Sequence, residues 1–160
     1  MSEDSFDLIV IGAGPGGYIA AIRASQLGMK VAVVEKRNSL GGICLHEGCI
    51  PGKALLDSSE ILALARNGFG RHGVVVEEVR LDLAQMMARK DDIVKKLAAG
   101  IDHLFRKNRI QRFRGSGKLA GARRDGLQVV AVTGSENPVI PHLINGKRVL
   151  LATGSRPVEL

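Results

Sequence analysis

A chain of 160 residues is long enough for one domain with a hydrophobic core and too short for two ample ones. With 45% hydrophobic and 24% charged residues it is neither a disordered tail, a collagen-like fibre nor a disulfide-stapled miniprotein, and no apolar run reaches the roughly 20 residues of a membrane span. The net charge of +7 is lopsided: residues 81–160 hold 15 Lys/Arg against 7 Asp/Glu, residues 1–80 hold 8 against 9, and eight basic residues with no acid lie within 106–124.

The N-terminus, Met1-Ser2-Glu3-Asp4, is acidic and polar, unlike a secretory signal or an Arg-rich transit peptide, so a cytoplasmic protein is expected. Residues 7–11 form a β-rich apolar run ending in glycine, the pattern of a strand buried on both faces. A helix follows over 18–27, closed by Gly28, and a second buried strand over 31–34 ends at Glu35. Strand, helix and strand make a βαβ unit, which requires parallel strands and a right-handed crossover.

Residues 38–53 read as a Gly-rich loop holding both cysteines and opening a helix over 54–66, with a turn segment at 67–73. Leu83, Met87, Val94, Leu97, Ile101 and Leu104 keep helical spacing, so a long amphipathic helix is expected over 83–108, packed antiparallel on the 54–66 helix. Short strands follow at 110–113, 129–132 and 139–140, with turns at Asp125-Gly126 and Gly134-Ser135, and a buried strand at 149–152. The expected class is α/β: a Rossmann-like domain with a central parallel sheet, a helical pair and a small antiparallel meander.

Gly12, Gly14 and Gly17 give the spacing G-x-G-x-x-G between the first strand and its helix, answered by Glu35 at the end of the second. In that context the glycines allow the tight turn, the approach of a pyrophosphate and close helix–strand packing. The pyrophosphate would rest on the free N–H groups of the helix N-terminus, and Glu35 would accept from the adenosine ribose hydroxyls. The motif fits FAD and NAD equally.

Cys44 and Cys49 are spaced C-x4-C, which is neither a zinc pattern nor a thioredoxin pattern. In a regular helix their Cα atoms would stand about 8.6 Å apart, too far for a disulfide, so oxidation requires a break that Gly48 permits. Pro51 suits a first helical turn, placing Cys49 at or just before a helix N-terminus, where a thiolate is stabilised. Inert cysteines and a zinc site completed by His46 are the other readings of this pair.

Residues 41–56, Gly-Gly-Ile-Cys-Leu-His-Glu-Gly-Cys-Ile-Pro-Gly-Lys-Ala-Leu-Leu, resemble the redox motif of the FAD-dependent pyridine nucleotide–disulfide oxidoreductases. The resemblance spans nearly the whole chain, through the N-terminal Gly motif, Met86-Met87, Gly100-Ile101, Gly115-Ser116-Gly117 and Ala152-Thr153-Gly154-Ser155. Within the family it is nearest to the branch that oxidises protein-bound dihydrolipoamide; a mercuric or glutathione reductase-like member, or a stand-alone redox-sensing module, is the alternative.

The resemblance implies that Cys49 is the cysteine nearer the flavin, Cys44 the interchange thiol and Lys53 a cation beside the flavin ring. Gly12, Gly14, Gly17 and Glu35 would hold the ADP half of FAD, Gly115 or its neighbours would contact the adenine through backbone, and Ala152, Thr153 and Gly154 would line the flavin-side phosphates and ribitol; Pro15, Lys36, Gly42 and Lys53 would also bind the cofactor. It further implies NAD as electron acceptor, the lipoyl group of 2-oxoacid dehydrogenase or glycine cleavage complexes as partner, and a homodimer. No metal, nucleic acid or membrane is expected. Gly52 stands where Ser or Thr is usual, and His46 and Glu47 where Asn and an apolar residue are usual. Family members are much longer, so residues 1–160 are expected to be the N-terminal part of an incomplete FAD-binding domain, inactive alone. The NAD-binding, central and interface domains would be absent. None of His46, His72, His103 and His142 sits in a catalytic context.

Overall fold

The computed structural model describes residues 5–134, 140–155 and 158. They divide into two bodies, one of residues 1–42 with 98–160 and one of residues 43–97.

The first body is built on a six-stranded sheet in the order β3-β2-β1-β6-β5-β4. Strands β1 (Ser5–Ile11), β2 (Val31–Glu35) and β3 (Gln111–Arg114) are parallel, and β1 also pairs in parallel with β6 (His142–Leu151). Ile9, Val10 and all of β2 are buried, as a β-branched run between two covered faces should be. Helix α1 (Pro15–Gln26) contacts β1 and β2 and buries Ala21 and Ala24. It starts on a Pro at its first position and ends at Gly28, whose φ of +86° allows Gly28 and Met29 N–H groups to close on Ser25 and Ala24 carbonyls.

The antiparallel strands β4 (Ser116–Ala122) and β5 (Gln128–Thr133) continue the sheet through β6. Val130, Val132 and Ile144 form one buried cluster with Phe6, Ile9, Ile11, Ala32 and Val34, flanked by Phe113 and Val149. The meander thus supplies part of the core beneath the parallel strands. Phe6 and Phe113 meet edge to face at 5.8 Å.

The meander joins the parallel sheet, and two strand readings differ from the sequence pattern. The meander and the parallel sheet are one sheet, because β6 begins at His142 and serves both: residues 142–146 pair with β5 and 145–151 with β1. Ile140 lies in a bend outside any strand, while Ser135 and Val139 fall outside the described residues. The 149–152 segment is not a buried strand: Leu150 and Leu151 are exposed, since β6 beyond Gly146 pairs only with β1. Strand β4 was not anticipated, because Gly117 and Gly121 interrupt its alternation.

In the second body, α2 (Gly42–His46) leads to α3 (Cys49–Asn67) and a short 3-10 turn at Phe69–His72. Helix α4 (Leu83–Lys107) contributes residues 83–97 here and 98–107 to the first body. Helices α3 and α4 are joined by a polar clamp that the sequence pattern did not reveal. Arg89 donates to the Ala54 carbonyl, to Ser58 Oγ and, at 2.6 Å, to Asp57 Oδ2. Leu56, Ile61, Leu64, Leu83 and Met87 remain exposed, so helical periodicity marked an apolar stripe without fixing what covers it. No helix of the described residues is long and apolar enough to cross a membrane.

Candidate functional site

The turn from β1 to α1 is held shut by contacts that only glycine allows. Gly12 has φ of +103°, and a Cβ there would lie 2.2 Å from the Ala152 carbonyl oxygen; a Cβ on Gly17 would lie 1.9 Å from the Gly12 oxygen. Gly14 and Gly16 are different: a Cβ would meet only Gly42 Cα at 4.0 Å from the first and nothing from the second. Their backbone faces open space at the start of α1, whose N-cap, Gly14, offers no side-chain cap. Uncapped amides at a positive helix end, with Pro15 at the first helical position, form a cradle for an anion. Gly42 completes its wall, since a Cβ there would press to 2.7 Å from Gly14 Cα.

Glu35 ends β2 and is only 7% exposed. One carboxylate oxygen accepts from the Ala13 amide at 2.7 Å and the other from the Arg37 amide at 2.9 Å. Those bonds fix the carboxylate's orientation and leave further lone pairs for a ligand's hydroxyls. Gly115 N–H donates to the Glu35 carbonyl at 3.0 Å, so β3 ends against the same point. Ala152 N–H donates to the Ile11 carbonyl at 2.8 Å, bringing the end of β6 beside Gly12.

Around these groups lies a cavity of about 200 Å³ lined by Ile11, Gly12, Val34, Glu35, Lys36, Ser116, Gly117 and Thr153. Gly12, Gly14, Pro15, Gly17, Glu35, Lys36, Gly42, Gly115, Ala152 and Thr153 are therefore gathered about one end of the parallel strands, where α/β sheets bind nucleotides. Gly154, with φ of +74°, follows Thr153 and makes no close approach. Ser116 and Gly117, the neighbours of Gly115, are part of this lining.

Cys44, Cys49 and Lys53 belong to the second body. The two cysteines form a disulfide, with Cα atoms 4.7 Å apart. The chain achieves this by leaving helical geometry at Gly48 (φ −117°, ψ −93°), between α2 and α3. The pair is thus disulfide-bonded, and among the described residues no group of His, Cys, Asp and Glu side chains is placed to hold a metal ion. Cys49 is the first residue of α3 and exposed, Cys44 half-buried, and Lys53 exposed one turn further along α3.

The chain is similar in sequence to known proteins. The chain is 47% identical to dihydrolipoyl dehydrogenase of Cupriavidus necator, over 97% of its own length and 33% of the relative's. It is 47% identical to dihydrolipoyl dehydrogenase 3 of Pseudomonas aeruginosa, over 95% and 36%, and 45% identical to leghemoglobin reductase of Vigna unguiculata, over 96% and 28%. It spans about a third of the length of these relatives. The family described as pyridine nucleotide-disulphide oxidoreductase matches residues 6–160, and the chain belongs to that family.

Proposed function

We propose that residues 1–160 are the N-terminal part of the FAD-binding domain of a cytoplasmic dihydrolipoamide dehydrogenase. The family uses FAD, with NAD in the full enzyme. The observation that carries the reading is the Cys44–Cys49 disulfide, closed across the break before α3. Its natural reaction is thiol–disulfide exchange with a dithiol.

One thiolate of dihydrolipoamide attacks Cys44 Sγ; the Cys44–Cys49 bond breaks and Cys49 leaves as a thiolate. The second lipoyl thiolate then attacks its own sulfur in the mixed disulfide, closing the lipoamide ring and releasing Cys44. The substrate loses two electrons and two protons; the protein disulfide gains the two electrons, and the protons pass to Cys44 and to solvent, leaving Cys49 as the thiolate. Position at the first turn of α3 stabilises the Cys49 thiolate. Lys53, one turn on, adds a positive charge on the same helix.

The residues of the first body fit FAD: the open backbone at Gly14 and Gly16 suits a pyrophosphate, and Glu35 suits vicinal ribose hydroxyls. Held there, FAD would supply the two-electron redox chemistry that links the reduced cysteines to NAD. The lipoyl-bearing complex as partner and a homodimer belong to this same proposal.

Single-cysteine variants test it. With oxidised lipoamide, Cys49→Ser, which retains Cys44, is expected to form a mixed disulfide seen by intact mass, and Cys44→Ser is expected to form far less. Equal labelling, or labelling of Cys49 alone, would overturn the assignment. Separately, Glu35→Gln should weaken ADP binding about tenfold by calorimetry, the scale of one charge-assisted hydrogen bond.

A further inference from the structure

A second cavity, of about 350 Å³, lies in the first body, lined by Ala99, Asp102, Phe105, Arg106, Ile110 and Arg112. It shares no lining residue with the nucleotide cavity, and nothing said above uses it. Half of its lining is apolar, with Phe105 and Ile110 almost fully buried. The other half is two guanidinium groups and one carboxylate.

Neither guanidinium is fully used by the protein. Of the five N–H donors of Arg112, one Nη2 donor reaches the Arg37 carbonyl at 2.9 Å. Its Nη1 stands 3.7 Å from Asp102 Oδ1, an ion pair too long for a hydrogen bond, and its Nε is buried without a partner. Arg106 has no ion pair among the described residues, although it sits in the last turn of α4, where a cation often serves the helix carbonyls.

Those carbonyls are otherwise engaged. Asn108 N–H and Asn108 Nδ2 both donate to Leu104 O, Arg109 N–H to Arg106 O, and Ile110 N–H to Phe105 O. Arg109 takes φ of +53° to close this cap, a conformation more usual for glycine. The cap leaves the Arg106 guanidinium for another anion.

We propose that this cavity between the end of α4 and β3 binds a small apolar monocarboxylate, an aryl- or branched alkyl-substituted acid. Its carboxylate meets Arg106 and Arg112 while its hydrocarbon part lies against Phe105 and Ile110. Two positive groups against Asp102 leave one net positive charge, which suits a monoanion better than a phosphate dianion. The proposal does not depend on the nucleotide or redox reading.

The test is an amide chemical-shift titration of the labelled chain with phenylacetate. Saturable shifts are expected at Ala99, Ile110 and Arg112. Arg106→Gln changes an exposed side chain and should weaken binding about tenfold with no change in melting temperature. Asp102→Asn removes the competing carboxylate and should tighten binding, which a purely structural Asp102–Arg112 pair would not produce. Absence of saturable shifts, shifts confined to residues 12–17, undiminished binding by Arg106→Gln, or tighter binding of phenyl phosphate than of phenylacetate would each overturn the proposal.

Discussion

The two bodies use apolar residues in opposite ways. In the first, Ile9, Val10, Val130 and Ile144 are fully enclosed, and strands distant in sequence share one cluster. In the second, Leu45, Pro51 and Ala54 are the buried residues, while Leu56, Ile61, Leu64, Leu83 and Met87 face outward. The first is held by a core of its own. The second adds a covalent bond, helix hydrogen bonds and the Arg89 clamp to a few buried and half-buried apolar residues. The glycine turn depends on the former, because a Cβ at Gly12 or Gly17 has no room. The Cys44–Cys49 bond depends on local geometry around Gly48.

The sharpest way to break this contrast is to cut one buried and one exposed isoleucine. Ile144→Ala removes a fully enclosed side chain and should cost about 2–5 kcal/mol of unfolding free energy in urea. Ile61→Ala, on the outward side of α3, should stay within about 0.5 kcal/mol. Equal losses would mean that the α3 stripe is covered in solution and that the contrast is false.

The next effect is that of the cross-link. Reduction of Cys44–Cys49 opens a very short loop, for which the chain-entropy argument gives about 2 kcal/mol. Hydrogen exchange should speed up over residues 43–67 and stay unchanged in β1, β2 and β6. Faster exchange in those strands would show that the bodies unfold together.

What could be read from the sequence follows the same division. The βαβ unit was legible because buried parallel strands, a Gly-capped helix and a Gly-rich turn are each fixed by neighbours in sequence. Glu35 was legible for the same reason, as the residue ending β2. Its bonds to the Ala13 and Arg37 amides were not, since they depend on how closely the turn folds back. Strand β4 and the first half of β6 were missed because pairing with β5, and not their own alternation, makes them strands. The cysteine spacing showed that a helix break was required. The amphipathic 83–108 helix was legible from its spacing, but the Arg89 clamp to α3 was not, because periodicity reports a face and never what lies opposite it. The basic run of 106–124 proved to be several things: Arg106 and Arg112 line a cavity, Arg109 closes a helix cap, and Arg123 pairs with Asp125.

The smallest effect compares two exposed ion pairs, one in each body. In the first, Lys147 Nζ contacts Asp7 Oδ1 at 2.7 Å, and the Lys30 amide donates to the other oxygen, so β6 and the start of β2 are both tied to β1. The Lys147 bond, then the Lys30 amide, hold the Asp7 carboxyl below its ordinary value of 3.8. A folded carboxyl that binds its proton less readily than the unfolded one adds stability above the unfolded value. That contribution is lost as pH falls through the lowered folded value. Asp7→Asn should therefore lower stability slightly at neutral pH and flatten the acid side of the stability curve below about pH 4. Asp57→Asn removes the acidic partner of Arg89 in the second body but leaves its bonds to the Ala54 carbonyl and Ser58, so it should perturb stability less. An acid limb unchanged by Asp7→Asn would show that the strand-linking pair contributes nothing a solvated carboxylate does not.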